Sequence, residues 1–138
     1  MAAFETERKV LFQHCDPAGI VFYPRYFEMV NAVVEEWFET ALGLPFAEMH
    51  LERKAGVPLV RVEMDFRAPS RLGEVLSFSL SLERLGESSM TCRLETDCGG
   101  ERRFDGRLVL VYIDSLRGRA QPLPEEVQAK LRAFLPGA

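Results

Sequence analysis

Cysteine and histidine are scarce in this chain. Cys15, Cys92 and Cys98 are odd in number and lack paired metal-ligand spacing. With only His14 and His50 to add, they complete no zinc site. A structural zinc is therefore not expected. No apolar run approaches the ~18 residues of a membrane span, so no membrane segment is expected. The stretch Met1 to Glu7 lacks the basic region and apolar stretch of a signal peptide, which makes cytoplasmic the expected location. Positive charge is not in excess. The formal net charge of −4 argues against a nucleic-acid partner, which would need a basic face. Repeats, linkers and low-complexity segments are missing too. The 138 residues are expected to form one domain, residues 1–138.

What is present is an ordinary balance of 47% apolar and 28% charged residues, enough for a proper core. An anionic ligand would need a local cluster of Arg. The candidates are Arg61, Arg67, Arg71, Arg84, Arg102, Arg103 and Arg107. The simpler reading is that most are solvated strand residues.

The most informative stretch is Asp16-Pro17-Ala18-Gly19-Ile20-Val21-Phe22-Tyr23-Pro24-Arg25-Tyr26-Phe27-Glu28. It places one carboxylate before a tight Gly turn and a Pro-started helix. That order aims an acid and the positive end of a helix at one small volume. Chemistry on a carbonyl needs both. Pro24 suits the first helical turn, where a missing N–H costs nothing. From there apolar residues recur at helical spacing: Tyr26, Met29, Val30, Val33, Trp37 and Ala41. A second stripe runs through Phe27, Val34 and Phe38, and Gly43 is a natural stop. The spacing predicts a helix over Pro24–Leu42, roughly 28 Å long, apolar on two sides and largely enclosed.

A first strand is expected over residues 5–13, and a short helix or structured loop over Pro45–Lys54. Beyond that the period becomes two. Val57–Arg67 reads as a strand with Val60, Val62, Met64 and Phe66 on one face. After the turn Ala68–Gly73, Val75–Arg84 alternates cleanly. Gly86–Ser89 and Gly99-Gly100 are hairpin signals. Phe104–Ile113 is the most apolar strand and is expected at the centre of its sheet. Glu125–Leu135 should form a last helix. The layout is α+β: one buried helix, then four strands in antiparallel hairpin order. One five-stranded sheet cannot enclose a two-sided helix, so a second copy of the chain is expected to close the core or extend the sheet.

Several of these residues carry a likeness. Cys15-Asp16-Pro17-Ala18-Gly19-Ile20-Val21, with Tyr23-Pro24 and Tyr26, resembles the 4-hydroxybenzoyl-CoA thioesterase family of hot-dog proteins. The likeness extends from about Glu7 to Leu131. It implies a hot-dog fold, a long helix wrapped by a curved antiparallel sheet of about five strands. It also implies a homodimer, often a tetramer, with the active site at the interface. The implied reaction is hydrolysis of an acyl-CoA thioester, without metal or cofactor. The family's acidic catalytic residue falls on Asp16, acting as nucleophile or general base. Its carbonyl-polarising backbone N–H falls on Tyr23. Gly19, Ile20 and Val21 are expected beside the substrate. The acyl group itself stays open, aromatic or short to medium aliphatic.

Two departures matter. Where the family prototype has an acid within the helix, this chain has Asn31. Asn31 either bonds neighbouring backbone or the partner chain, or it touches the acyl group. Where the prototype has nucleotide-holding basic residues, this chain reads Leu85-Gly86-Glu87, so those contacts do not carry over. His14 reads as a local hydrogen bonder more than as a catalytic partner of Asp16. Cys15 should point into packing. Two other readings remain on the same fold: a hydratase or dehydratase using a His with an acid, and a non-catalytic acyl-CoA-binding protein.

Overall fold

The structure, a computed structural model, describes residues 3–138. In chain order the regular elements are β1 (Phe4–Lys9), α1 (Tyr23–Glu36), β2 (Ala55–Gly56), β3 (Leu59–Phe66), β4 (Val75–Leu85), β5 (Ser89–Cys98), β6 (Glu101–Val111), β7 (Ile113–Asp114), β8 (Arg119–Ala120) and α2 (Glu125–Leu131).

Five strands make one antiparallel sheet in the order β1-β4-β5-β6-β3, and β2, β7 and β8 make a small second sheet. Alternation decides which face of the main sheet is covered. Leu76, Phe78, Leu80 and Leu82 of β4 and Met90, Cys92 and Leu94 of β5 are all buried. On α1, Tyr26, Met29, Val30, Val33 and Val34 are buried in the same core. The Tyr26 and Phe104 rings meet at 4.5 Å. The sheet therefore wraps the helix, as the α+β hot-dog reading requires.

The strand order corrects two expectations. β4, β5 and β6 follow one another as hairpins, but β3 does not pair with its successor. It crosses to the far edge and pairs with β6, Met64 opposite Gly106. β6 is interior but not central. The N-terminal strand adds beyond β4, Glu5 opposite Ser79, and this makes β5 the middle strand.

Element ends also differ. The first strand stops at Lys9, because the chain turns into a 3-10 turn over Phe12–His14. The His14 ring drives that turn by accepting the Leu11 N–H on Nδ1 at 2.8 Å. The long helix begins at Tyr23 and, past Glu36, widens into a π turn over Trp37–Ala41. The Leu42 N–H reaches back to the Trp37 carbonyl at 3.0 Å. Two adjacent large rings, Trp37 and Phe38, are both fully buried there. Gly43 then ends the helix at φ +72°, a conformation glycine adopts without a Cβ clash. Residues 48–52 form another single π turn, and α2 stops at Leu131 before a 3-10 turn over Arg132–Phe134.

Candidate active site

The motif folds into a closed loop. Cys15 and Val21 face each other as an isolated antiparallel bridge. Inside it the Asp16 N–H donates to the Ile20 carbonyl at 2.9 Å, and the Gly19 N–H donates to the Asp16 carbonyl at 3.0 Å. Gly19 takes φ +78°, the left-handed conformation that closes so short a loop. The Asp16 carboxylate also belongs to the turn. Its Oδ1 accepts the Ala18 N–H at 2.9 Å. Its Oδ2 takes no hydrogen bond from the described residues. One oxygen is oriented by the backbone and the other is available.

The start of α1 lies against this loop. The Phe22 N–H donates to the His14 carbonyl at 2.9 Å, and the Arg25 N–H donates to the Phe22 carbonyl at 2.8 Å. Pro24 has no N–H. The Tyr23 N–H finds no acceptor among the described residues. It is one of the orphan donors that every helix start leaves, at the positive end of the macrodipole. The Tyr23 ring itself is exposed.

Other candidates fall in different places. Ile20 is partly exposed and bridges Arg71. The Val21 side chain is in the core and its N–H is spent on the Ser70 carbonyl at 2.9 Å. Val21 thus fixes the loop through packing and backbone pairing. Asn31 is exposed on α1, where two hollows meet. One, about 90 Å³, is walled by Phe27, Val30, Val34, Leu108 and Leu110. The other, about 440 Å³, adds Phe46, His50 and Ser115.

Neither histidine is set up as an acid–base partner of Asp16. His14 is buried and its Nδ1 holds the Leu11 N–H; burial pushes its pKa below the ordinary value. The His50 Nδ1 lies 2.9 Å from the Phe46 carbonyl. Cys15 packs against the core, as expected, with its Sγ 3.5 Å from the Leu11 carbonyl. Burial pushes the Cys92 thiol up to about 12, which leaves it inert at neutral pH. No group of His, Cys, Asp or Glu among the described residues has the geometry of a metal site. No helix among them is long and apolar enough to cross a membrane.

The Arg candidates are mostly paired. Arg61 meets Glu63, Arg67 meets Asp105, Arg102 meets Asp97, Arg103 meets Glu74 and Arg107 meets Glu83. Arg71 and Arg84 make no salt bridge among the described residues. Sequence reasoning passed over Glu74 and Ser70, which contact the motif loop or its neighbour. Nothing in their local spacing marks them.

A five-stranded antiparallel sheet wrapped on one long helix, with a carboxylate loop at the helix start, defines the hot-dog class of α+β proteins. The chain belongs to the thioesterase-like superfamily, whose family profile matches residues 10–131. Its enzymatic class is therefore thioester hydrolase. The chain is similar to a 1,4-dihydroxy-2-naphthoyl-CoA hydrolase of Synechococcus elongatus, 24% identical over 93% of this chain and 94% of the relative. It is similar to the 4-hydroxybenzoyl-CoA thioesterase of Pseudomonas sp. strain CBS-3, 27% identical over 87% of this chain and 91% of the relative. Among solved structures, a thioesterase-superfamily protein of Jannaschia sp. CCS1 superposes with a TM-score of 0.88 at 26% identity, covering 99% of this chain and 95% of the other.

Proposed function

We propose that the protein hydrolyses an acyl-CoA thioester with an aromatic acyl group, releasing the free acid and CoA. One observation carries this reading. A single closed loop joins a carboxylate with a free oxygen to a helix start with an unspent N–H. The thioester carbonyl sits at that helix start, its oxygen on the Tyr23 N–H. The donor and the helix dipole stabilise the charge that develops there; one such donor is worth ~3–4 kcal/mol of barrier. Asp16 either attacks the carbonyl carbon or draws a proton from a water that does. In both routes the C–S bond breaks and CoA leaves as the thiolate; in the first, water then hydrolyses the acyl–Asp16 anhydride, releasing the acid and restoring the carboxylate. Gly19 and Ile20 lie beside the reacting group. The aromatic choice follows the relatives, both of which are named for aryl-CoA esters.

The hollows on α1 suit the acyl group. The smaller is walled by apolar side chains, the larger adds His50 and Ser115 to Phe46, Val57 and Ile113, and Asn31 offers an amide between them. Asn31 follows Tyr23 by eight residues, about 12 Å along the helix at the usual rise. That places it toward the inner end of an acyl pocket that begins at the helix start. An amide also accepts a phenol hydrogen bond less strongly than a carboxylate does.

The working unit is a homodimer. β3 is an edge strand. Val60 falls at a break in its register with β6, off the face that the period of two gives it, while Val62 and Phe66, opposite the buried Leu108 and Phe104 on the helix side, stay 41% and 48% exposed. A second copy covers them.

The test is release of free thiol from a panel of benzoyl-, 4-hydroxybenzoyl-, 1,4-dihydroxy-2-naphthoyl- and hexanoyl-CoA. Asp16→Asn should keep the fold and lose roughly 10²–10⁴-fold in turnover, the usual contribution of a positioned base. A folded Asp16→Asn protein with near-native turnover overturns the mechanism. Asn31→Asp should raise kcat/KM for hydroxylated aryl esters relative to hexanoyl-CoA. Unchanged ratios would make Asn31 a structural residue.

A further inference from the structure

Resting on the reading of Asp16 above, we propose that Arg103 and Glu74 are positioning residues for the reaction. Together they hold residues 69–74 as the shelf on which the Asp16–Val21 loop is seated.

The chain of contacts is continuous. Arg103 of β6 is buried, 7% exposed, and grips Glu74 with both guanidinium ends, Nη1 to Oε1 at 2.7 Å and Nη2 to Oε2 at 3.0 Å. Its Nη1 also donates to the Pro69 carbonyl at 3.0 Å. The Arg103 carbonyl accepts the Arg67 and Ala68 N–H groups at 2.8 and 3.2 Å. Glu74 reaches back in turn, its Oε1 accepting the Arg71 N–H at 2.6 Å. Both ends of the 67–74 connection are thereby tied to one residue, residues 67 and 68 to the Arg103 carbonyl and Pro69 and Glu74 to its guanidinium.

That connection then seats the motif. The Ser70 carbonyl accepts the Val21 N–H at 2.9 Å, and the Leu72 N–H donates to the Gly19 carbonyl at 3.1 Å. Ile20 bridges Arg71. The Gly73 N–H donates to the Val10 carbonyl, and the Val10 N–H to the Glu74 carbonyl. Every residue from Gly19 to Val21 is thus registered against the 70–72 backbone. Neither charged group touches the loop; each acts through that backbone. Bidentate guanidinium–carboxylate pairs fix geometry as well as distance. Arg103 first, then the Arg71 N–H, holds the Glu74 carboxyl down at about 2, so the pair stays charged throughout the working pH range.

The experiment compares Glu74→Gln and Arg103→Lys with Arg53→Gln. Arg53 holds a separate ion network with Glu48 and Glu126 and pairs with none of residues 67–74. It controls for a general loss of stability. Two readouts are taken well below the melting temperature. One is steady-state kinetics on an aryl-CoA ester. The other is amide exchange at Val21 and Leu72, against Leu80 and Leu94 in the sheet. Glu74→Gln and Arg103→Lys should speed exchange at Val21 and Leu72 alone. They should lower kcat by about tenfold or more with KM within about twofold, because small misplacements of a reacting group are costly. Arg53→Gln should change neither. Unchanged exchange at Val21 and Leu72 overturns the proposal. So does faster exchange there with kcat intact. An Asp16→Asn protein that retains turnover overturns the catalytic reading instead, and the two amides still decide whether the pair holds the loop.

Discussion

His14 is a single side chain on which the approach to the motif depends. Its nearly buried ring accepts the Leu11 N–H on Nδ1, and its carbonyl accepts the Phe22 N–H. Protonation would turn Nδ1 into a donor facing a donor. Burial is the largest cause pushing the His14 pKa below 6.5, with Arg25 acting in the same direction and Glu28 against it. The folded chain therefore holds its proton less readily than the unfolded chain does. Stability should be complete above pH 6.5 and fall as pH drops through the folded pKa. Thermal unfolding between pH 7 and 5 checks this. His14→Asn, whose carbonyl can accept the same N–H without titrating, should flatten that part of the profile. An identical pH profile in the variant would count against it. At this scale the sequence was legible where the candidate site is contiguous. Asp16, Gly19 and Tyr23 lie in one stretch, and local turn and cap rules describe them. Glu74 and Arg103 lie 29 residues apart, and no local rule pairs an acid with one Arg among seven candidates.

Elements were legible where burial imposes one period. α1 shows its 3.6-residue stripe, and β4 and β5 show theirs of two. The π turn at Trp37–Ala41 was not, because it arises from packing two adjacent rings into one core. The crossing of β3 to β6 was not either; strand pairing across a sheet leaves no trace in the period of one strand. Gly106 records that pairing. A Cβ there would lie 1.9 Å from the Glu63 carbonyl oxygen and 3.0 Å from the Met64 Cα. Both atoms are backbone, so only a shift of β3 relieves the clash. Gly106→Ala should therefore destabilise by roughly 1–3 kcal/mol, the usual cost of overpacking. Urea unfolding measures it, and an unchanged midpoint would mean that β3 is free to move outward.

The molecule as a whole leaves one edge uncovered. β3 exposes Leu59, Val60, Val62 and Phe66 beside the charges Arg61, Glu63 and Asp65, while on the opposite edge strand, β1, the exposed positions are all charged, Glu5, Glu7 and Lys9. Charged edges resist pairing, and apolar ones invite it. Under the proposed dimer, association through β3 would make stability depend on concentration, since a partner that binds only the folded chain pulls the equilibrium toward it. The melting temperature should rise over a hundredfold increase in protein concentration, and dilution should reduce activity. A midpoint independent of concentration, with a monomer in sedimentation, would exclude the dimer. The strand order carries a different consequence, in time. Synthesis runs from the N-terminus, so the Asp16 loop and the start of α1 leave the ribosome some 80 residues before Arg103. At about 5–20 residues per second that gap is roughly 4–16 s. During it β6 does not exist, and neither the sheet interior nor the 69–74 connection has its anchor. The motif is made well before the anchor that holds it.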